Sequence, residues 1–194
     1  MNILHASRAL PKDGESCSGD AVFARVGDGA SLFVVIDVLG HGPNAHRVAQ
    51  RALQLLEQLP IETGATAAID ALHQGLHGTR GAVATAFSLH HNDGELCGVG
   101  NIAFRLLGFR CSFVSNPGIL GMQSPRRLGT RFRLGSGQGV ILHSDGISQR
   151  FDLERIPAQR PAALCEYLLS HHRHSHDDAS VLIVLAEDSM RGQS

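Results

Sequence analysis

Strand-like segments in this chain come in blocks, and that arrangement most constrains the fold. A continuous apolar run, Leu32-Phe33-Val34-Val35-Ile36, reads as a buried strand. It follows an alternating segment, Ala21 to Val26, and the turn Gly27-Asp28-Gly29, so the two predict a hairpin ending at Asp37. From Asn44 to Leu59 apolar residues recur at intervals of three and four (Ala45, Val48, Ala49, Ala52, Leu55, Leu56, Leu59) until Pro60 stops the pattern, which predicts an amphipathic helix. A second helix is expected over Ala65 to His77. A long β block follows: Ala82 to His90, the turn Asn92-Asp93-Gly94, Glu95 to Gly100, Ala103 to Gly108 and Arg110 to Ser115, expected as a meander. Further strands are expected at Arg127 to Leu134, Gly139 to His143 and Ala179 to Leu185, with a helix over Pro161 to His172 whose first turn holds Pro161. Blocks of this kind disfavour a doubly wound parallel sheet and favour antiparallel sheets with helices packed outside them.

A length of 194 residues fits one medium domain, expected over 1–187 with a frayed tail at 188–194. Apolar residues at 43%, charged residues at 18% and 22 glycines are the composition of a folded, turn-rich chain. Net charge is −1 and Lys12 is the sole lysine, so no broad basic face exists to follow a nucleic-acid backbone, and no nucleic-acid partner is expected. The short cluster Arg126, Arg127, Arg131 and Arg133 reads as a solvated hairpin face or as a patch for an acidic or phosphorylated protein. Cys17, Cys97, Cys111 and Cys165 lack CxxC spacing, which fits reduced structural thiols and a cytoplasmic protein. No leader-like segment begins the chain, and the strongest apolar stretch, Leu32 to Ile36, is too short to span a bilayer, so no membrane association is expected. A monomer is expected.

Three acidic positions share one context. Asp37 follows the buried strand, Asp145 follows Gly139 to His143, and Asp177 immediately precedes Ala179 to Leu185. Carboxylates at strand ends can converge on one rim of a sheet, and hard divalent cations require such oxygen ligands. Any one of these alone reads as an ordinary turn; the ordered set is a stronger signal.

That set, Ser18-Gly19-Asp20, then Asp37-Val38-Leu39-Gly40-His41-Gly42, then Ser144-Asp145-Gly146, then Asp177-Asp178-Ala179-Ser180-Val181, resembles the metal-dependent protein phosphatases of the 2C class, and most closely their bacterial SpoIIE-like branch. The small size and the segments Val99-Gly100-Asn101-Ile102 and Asn116-Pro117-Gly118 are similar to the stand-alone stressosome phosphatases of that branch. The resemblance implies an α+β fold, a four-layer αββα sandwich of two antiparallel sheets with metals at one end between them. It implies that Asp37 bridges two divalent metal ions, Mn²⁺ or Mg²⁺, that the Val38 carbonyl binds one, that Asp145 and Asp177 hold the other, and that Asp20 binds mainly through water. A metal-activated water would then attack the phosphorus of phosphoserine or phosphothreonine, with His41 as general acid. The implied partners are phosphorylated STAS-domain proteins of a bacterial stress-signalling complex, or a free phosphorylated anti-sigma-factor antagonist.

Departures from the family pattern qualify this. Val38 stands where the family has Gly, which implies a tighter or displaced turn, and Asn101-Ile102-Ala103-Phe104 lacks the aspartate that holds a third metal in many members. These departures are the support for a rival reading, a catalytically inactive binding module of the same fold. Asp178 is expected to make a loop or strand-edge hydrogen bond. Gly135-Ser136-Gly137-Gln138-Gly139 reads as a hairpin turn rather than a phosphate loop, since no Lys-Ser/Thr pair follows. His171, His172, His174 and His176 read as a polar exit from the last helix.

Overall fold

A computed structural model describes residues 1–122, 127–153 and 160–188. The tail expected at 188–194 therefore lies outside the described residues except for Asp188, as does Arg126 of the arginine cluster. The elements in chain order are β1 (Asn2–Leu10), β2 (Asp20–Val26), β3 (Ala30–Val38), α1 (Gly42–Glu57), α2 (Ala65–Gly75), β4 (Ala82–His90), β5 (Asp93–Val99), β6 (Ala103–Leu107), β7 (Thr130–Arg133), β8 (Gly139–His143), α3 (Pro161–His172) and β9 (Ala179–Glu187). The strands form two antiparallel sheets, ordered β2-β3-β4-β5-β7 and β1-β9-β8-β6.

Side-chain alternation explains the layering. On β3, Leu32, Val34, Ile36 and Val38 join a core shared with Ala45, Ala49 and Leu56 of α1 and with Ile69 and Leu72 of α2. Phe33 and Val35, pointing the other way, join Phe87, Val140, Leu142, Leu182 and Val184 in the core between the sheets. Ile141, Val181 and Ile183 face Leu164, Cys165 and Leu168 of α3 on the far side of the second sheet. The result is the expected αββα sandwich. Phe33, Phe87 and Phe132 stack in a row between the sheets with centroids 5.8 Å apart at each step, each pair adding roughly 0.5–1.5 kcal/mol beyond burial.

Most elements follow their apolar period, with four differences. β1 carries no strand signal, because Asn-Ile-Leu-His-Ala-Ser-Arg-Ala-Leu lacks alternation and is rich in helix formers; it is a strand because its whole length pairs with β9. The meander breaks after β5. Gly100 turns the chain at φ 94°, and β6 joins the other sheet beside β8. The segment expected as a strand over 110–115 is irregular, anchored by buried Phe113 edge-on to Phe104 at 4.6 Å. The β4–β5 turn falls one residue early: His90 pairs with Asp93, so His91 and Asn92 form the turn, with His91 at φ 53°. Among the described residues, no helix is long and apolar enough to cross a membrane.

Candidate metal centre

The same alternation places the carboxylates. Asp37 shares the inter-sheet face of β3 with Phe33 and Val35, but it lies where that core ends. Asp20 is its partner across the β2–β3 ladder, also on the inter-sheet face. Asp145 leaves the second sheet two residues beyond β8, and Asp177 enters it two residues before β9. β8 and β9 are neighbours, and Ser144 and Ser180 tie them at this end: the Ser144 amide donates to the Ser180 carbonyl at 3.0 Å and the Ser180 amide to Ser144 Oγ at 2.9 Å. Gly146 is obligatory here, since a Cβ on it would lie 1.8 Å from the Asp178 carbonyl oxygen.

These acidic groups share one electrostatic field. Burial first, then the negative charges of Asp20, Asp145, Asp177 and Asp178, push the Asp37 carboxyl up to about 8. Burial likewise pushes Asp20 up to about 7, with Asp178 and Asp145 adding to it and Ser144 and Ser180 opposing it by hydrogen bonding. Asp20 is 5% exposed and its Oδ2 has no hydrogen-bond partner. Crowded, half-desolvated carboxylates with an orphaned oxygen are the environment a divalent cation relieves, and an all-oxygen donor set suits Mg²⁺ or Mn²⁺. The shell is nevertheless open: among the described residues no three His, Cys, Asp or Glu side chains are drawn together into a ready metal site. Two of the carboxylates are turned onto protein donors. Asp145 Oδ2 accepts from Asn101 Nδ2 at 2.9 Å, and Asp177 Oδ1 accepts the Asp178 amide at 2.9 Å. A cation bound at Asp145 Oδ2 would compete with Asn101 for that oxygen.

Val38 ends β3 with its side chain buried, so the strand runs on through the position where Gly stands in the family and the turn begins at Leu39. His41 sits just beyond, as the N-cap of α1. Its Nδ1 lies 2.9 Å from Glu15 Oε1 and its Nε2 lies 3.2 Å from Lys12 Nζ. An ammonium only donates, so Nε2 accepts from Lys12 and Nδ1–H donates to Glu15. Asp178, 4% exposed, accepts the Lys12 amide at 2.8 Å and the Gly19 amide at 2.7 Å. It makes the loop hydrogen bonds expected of it and fastens the segment that carries Lys12 and Glu15. Lys12 and Glu15 had no motif to mark them, and Asn101, Ser144 and Ser180 stood inside quoted segments without a role. The signal for Glu15 was proximity in sequence to Asp20, and for Lys12 being the only lysine.

A hollow of ≈ 570 Å³, lined by Glu62, Ser88, His90, Asp93, Arg131 and Arg133 among others, lies at the other end of β4 from Val83, the residue paired with Asp37.

No protein-family model matches the chain, and neither does any curated protein. Solved structures do. One, described under the bacterial stressosome as a modular system adapted to control secondary messenger signalling, is 27% identical over 95% of this chain and 100% of its own, with a TM-score of 0.83. RsbX in complex with magnesium is 21% identical over 94% of each chain at a TM-score of 0.79. The PP2C phosphatase domain of SpoIIE from Bacillus subtilis is 17% identical over 97% of this chain and 64% of its own at a TM-score of 0.80. With two antiparallel sheets between layers of helix, this chain has the fold of the PP2C-type, metal-dependent protein phosphatases.

Proposed function

We propose that this protein is a metal-dependent protein serine/threonine phosphatase acting on phosphorylated STAS-domain proteins of a bacterial stress-signalling complex. The observation that carries this reading is the convergence of Asp20, Asp37, Asp145 and Asp177 at one end of the inter-sheet core, where burial, and after it mutual repulsion, raises Asp37 and Asp20. The partner class rests on the likeness to the stressosome structure and to RsbX.

Two divalent cations, when bound, supply an activated water and polarise the phosphoryl oxygens. Asp37 and the Val38 carbonyl would hold them from β3, Asp145 and Asp177 from the second sheet, and Asp20 mainly through water. His41 is the general acid that protonates the leaving serine or threonine oxygen. In the resting arrangement its Nε2 accepts from Lys12, so it acts as an acid only after gaining a second proton.

The test is phosphate release from a phosphoserine-bearing STAS-domain protein. Manganese-dependent release by the wild type, lost on chelation and in Asp37→Asn and Asp145→Asn, is expected. A pure wild type that releases no phosphate, or release indifferent to both substitutions, refutes the reading and favours the inactive binding module.

A further inference from the structure

Beside the carboxylate rim lies a surface of opposite charge. Asn44, Arg47, Val48 and Arg51 of α1 stand at helical spacings of three and four, so they share one face of the helix. With Thr79 and Arg80, from the connection between α2 and β4, they line an open hollow of ≈ 520 Å³. No acidic side chain lines it. Arg47 hydrogen-bonds Asn44 of the same helix, and among the described residues Arg47, Arg51 and Arg80 have no ion pair. All three arginines are exposed.

The hollow is joined to the site. The Arg80 guanidinium lies over Gly40, whose φ is 80°; a Cβ there would meet Nη1 at 2.9 Å. Gly40 immediately precedes His41, so Arg80 marks the edge of the proposed catalytic rim. From there the arginines lead outward. Arg51 is nine residues along the helix from Gly42, about 13 Å at roughly 1.5 Å per residue. A single phosphoryl group at the carboxylates cannot also touch Arg51. An extended peptide covers that distance in about four residues, at roughly 3.3 Å each.

We propose that Arg80, Arg47 and Arg51 form a docking subsite for an acidic segment of the phosphoprotein substrate, about four residues from the phosphoserine or phosphothreonine. Guanidinium forks pair with carboxylates in two-pronged fashion, and their number along the helix face sets the preference. The subsite rests on the phosphatase reading, because it selects among substrates of that same centre.

The experiment compares kcat/KM on two synthetic phosphoserine peptides, one with Asp and Glu at that spacing and one with Ser and Ala. Wild type prefers the acidic peptide by about tenfold. The variant Arg47→Glu/Arg51→Glu brings the ratio to one or below through KM, and Arg47→Gln/Arg51→Gln falls between. An unchanged ratio overturns the proposal. So does an equal loss on both peptides, which would place the arginines at the reacting phosphoryl group. If neither peptide is hydrolysed, the phosphatase reading fails, and anisotropy of the fluorescein-labelled acidic peptide in EDTA decides the subsite by itself: tighter binding to wild type than to Arg47→Glu/Arg51→Glu upholds it, and equal binding overturns it.

Discussion

Asp37→Asn should stabilise the metal-free protein while abolishing its response to metal. Asp37 is held at about 8 against an ordinary 3.8 by burial and by four neighbouring carboxylates. A carboxyl whose folded value is raised keeps its proton in the native state while the unfolded chain has lost it, so stability falls as pH rises through that interval. At roughly 1.4 kcal/mol per pH unit, and with the repulsion shared with Asp20, the loss at pH 8 is on the order of 3 kcal/mol. Asparagine removes the charge and so removes that loss. For a chain of this length, 3 kcal/mol corresponds to a rise in Tm of roughly 6–12 °C. The gain is near zero at pH 4, grows through pH 6 and is full at pH 8. The assay is thermal unfolding in EDTA across that range, repeated with manganese, which should raise the wild-type Tm and leave the variant unmoved. A metal-free Tm that falls on substitution at pH 8, or a gain that does not vary with pH, refutes the reasoning.

Two further outcomes are expected. His41→Gln should lower kcat on a phosphoserine peptide by about 10²–10³ with little change in KM, and much less on p-nitrophenyl phosphate, whose leaving group needs no proton; this is read from steady-state kinetics. Gly146→Ala should destabilise the fold by more than about 3 kcal/mol in urea titration, because its Cβ would overlap the Asp178 carbonyl.

Where hydrophobic period matched a fully buried surface, the fold was legible. Leu32 to Ile36, Ala82 to His90 and Pro161 to His172 each became the expected element. Asp37, Asp145 and Asp177 were legible as strand-end carboxylates, and their convergence follows from the neighbouring of β8 with β9 and of β2 with β3. What sequence could not supply was sheet membership. Strands β5 and β6 are adjacent in the chain, yet a glycine at positive φ sends them to opposite sheets, and nothing in their alternation distinguishes that from a meander. β1 was hidden because its structure comes from pairing with β9 rather than from its own residues. The partners of His41 were hidden for a similar reason: Glu15 and Lys12 are brought there by Asp178, 163 and 166 positions away along the chain.

The central claim is that Asp37 stands between two cations shared with Asp145 and Asp177. Crystals grown with Mn²⁺, with anomalous diffraction collected at a wavelength where manganese scatters, test it directly. The account predicts two anomalous peaks flanking Asp37, with Asp145 reaching one of them. Asp37 and Asp145 lying free of any peak would contradict it.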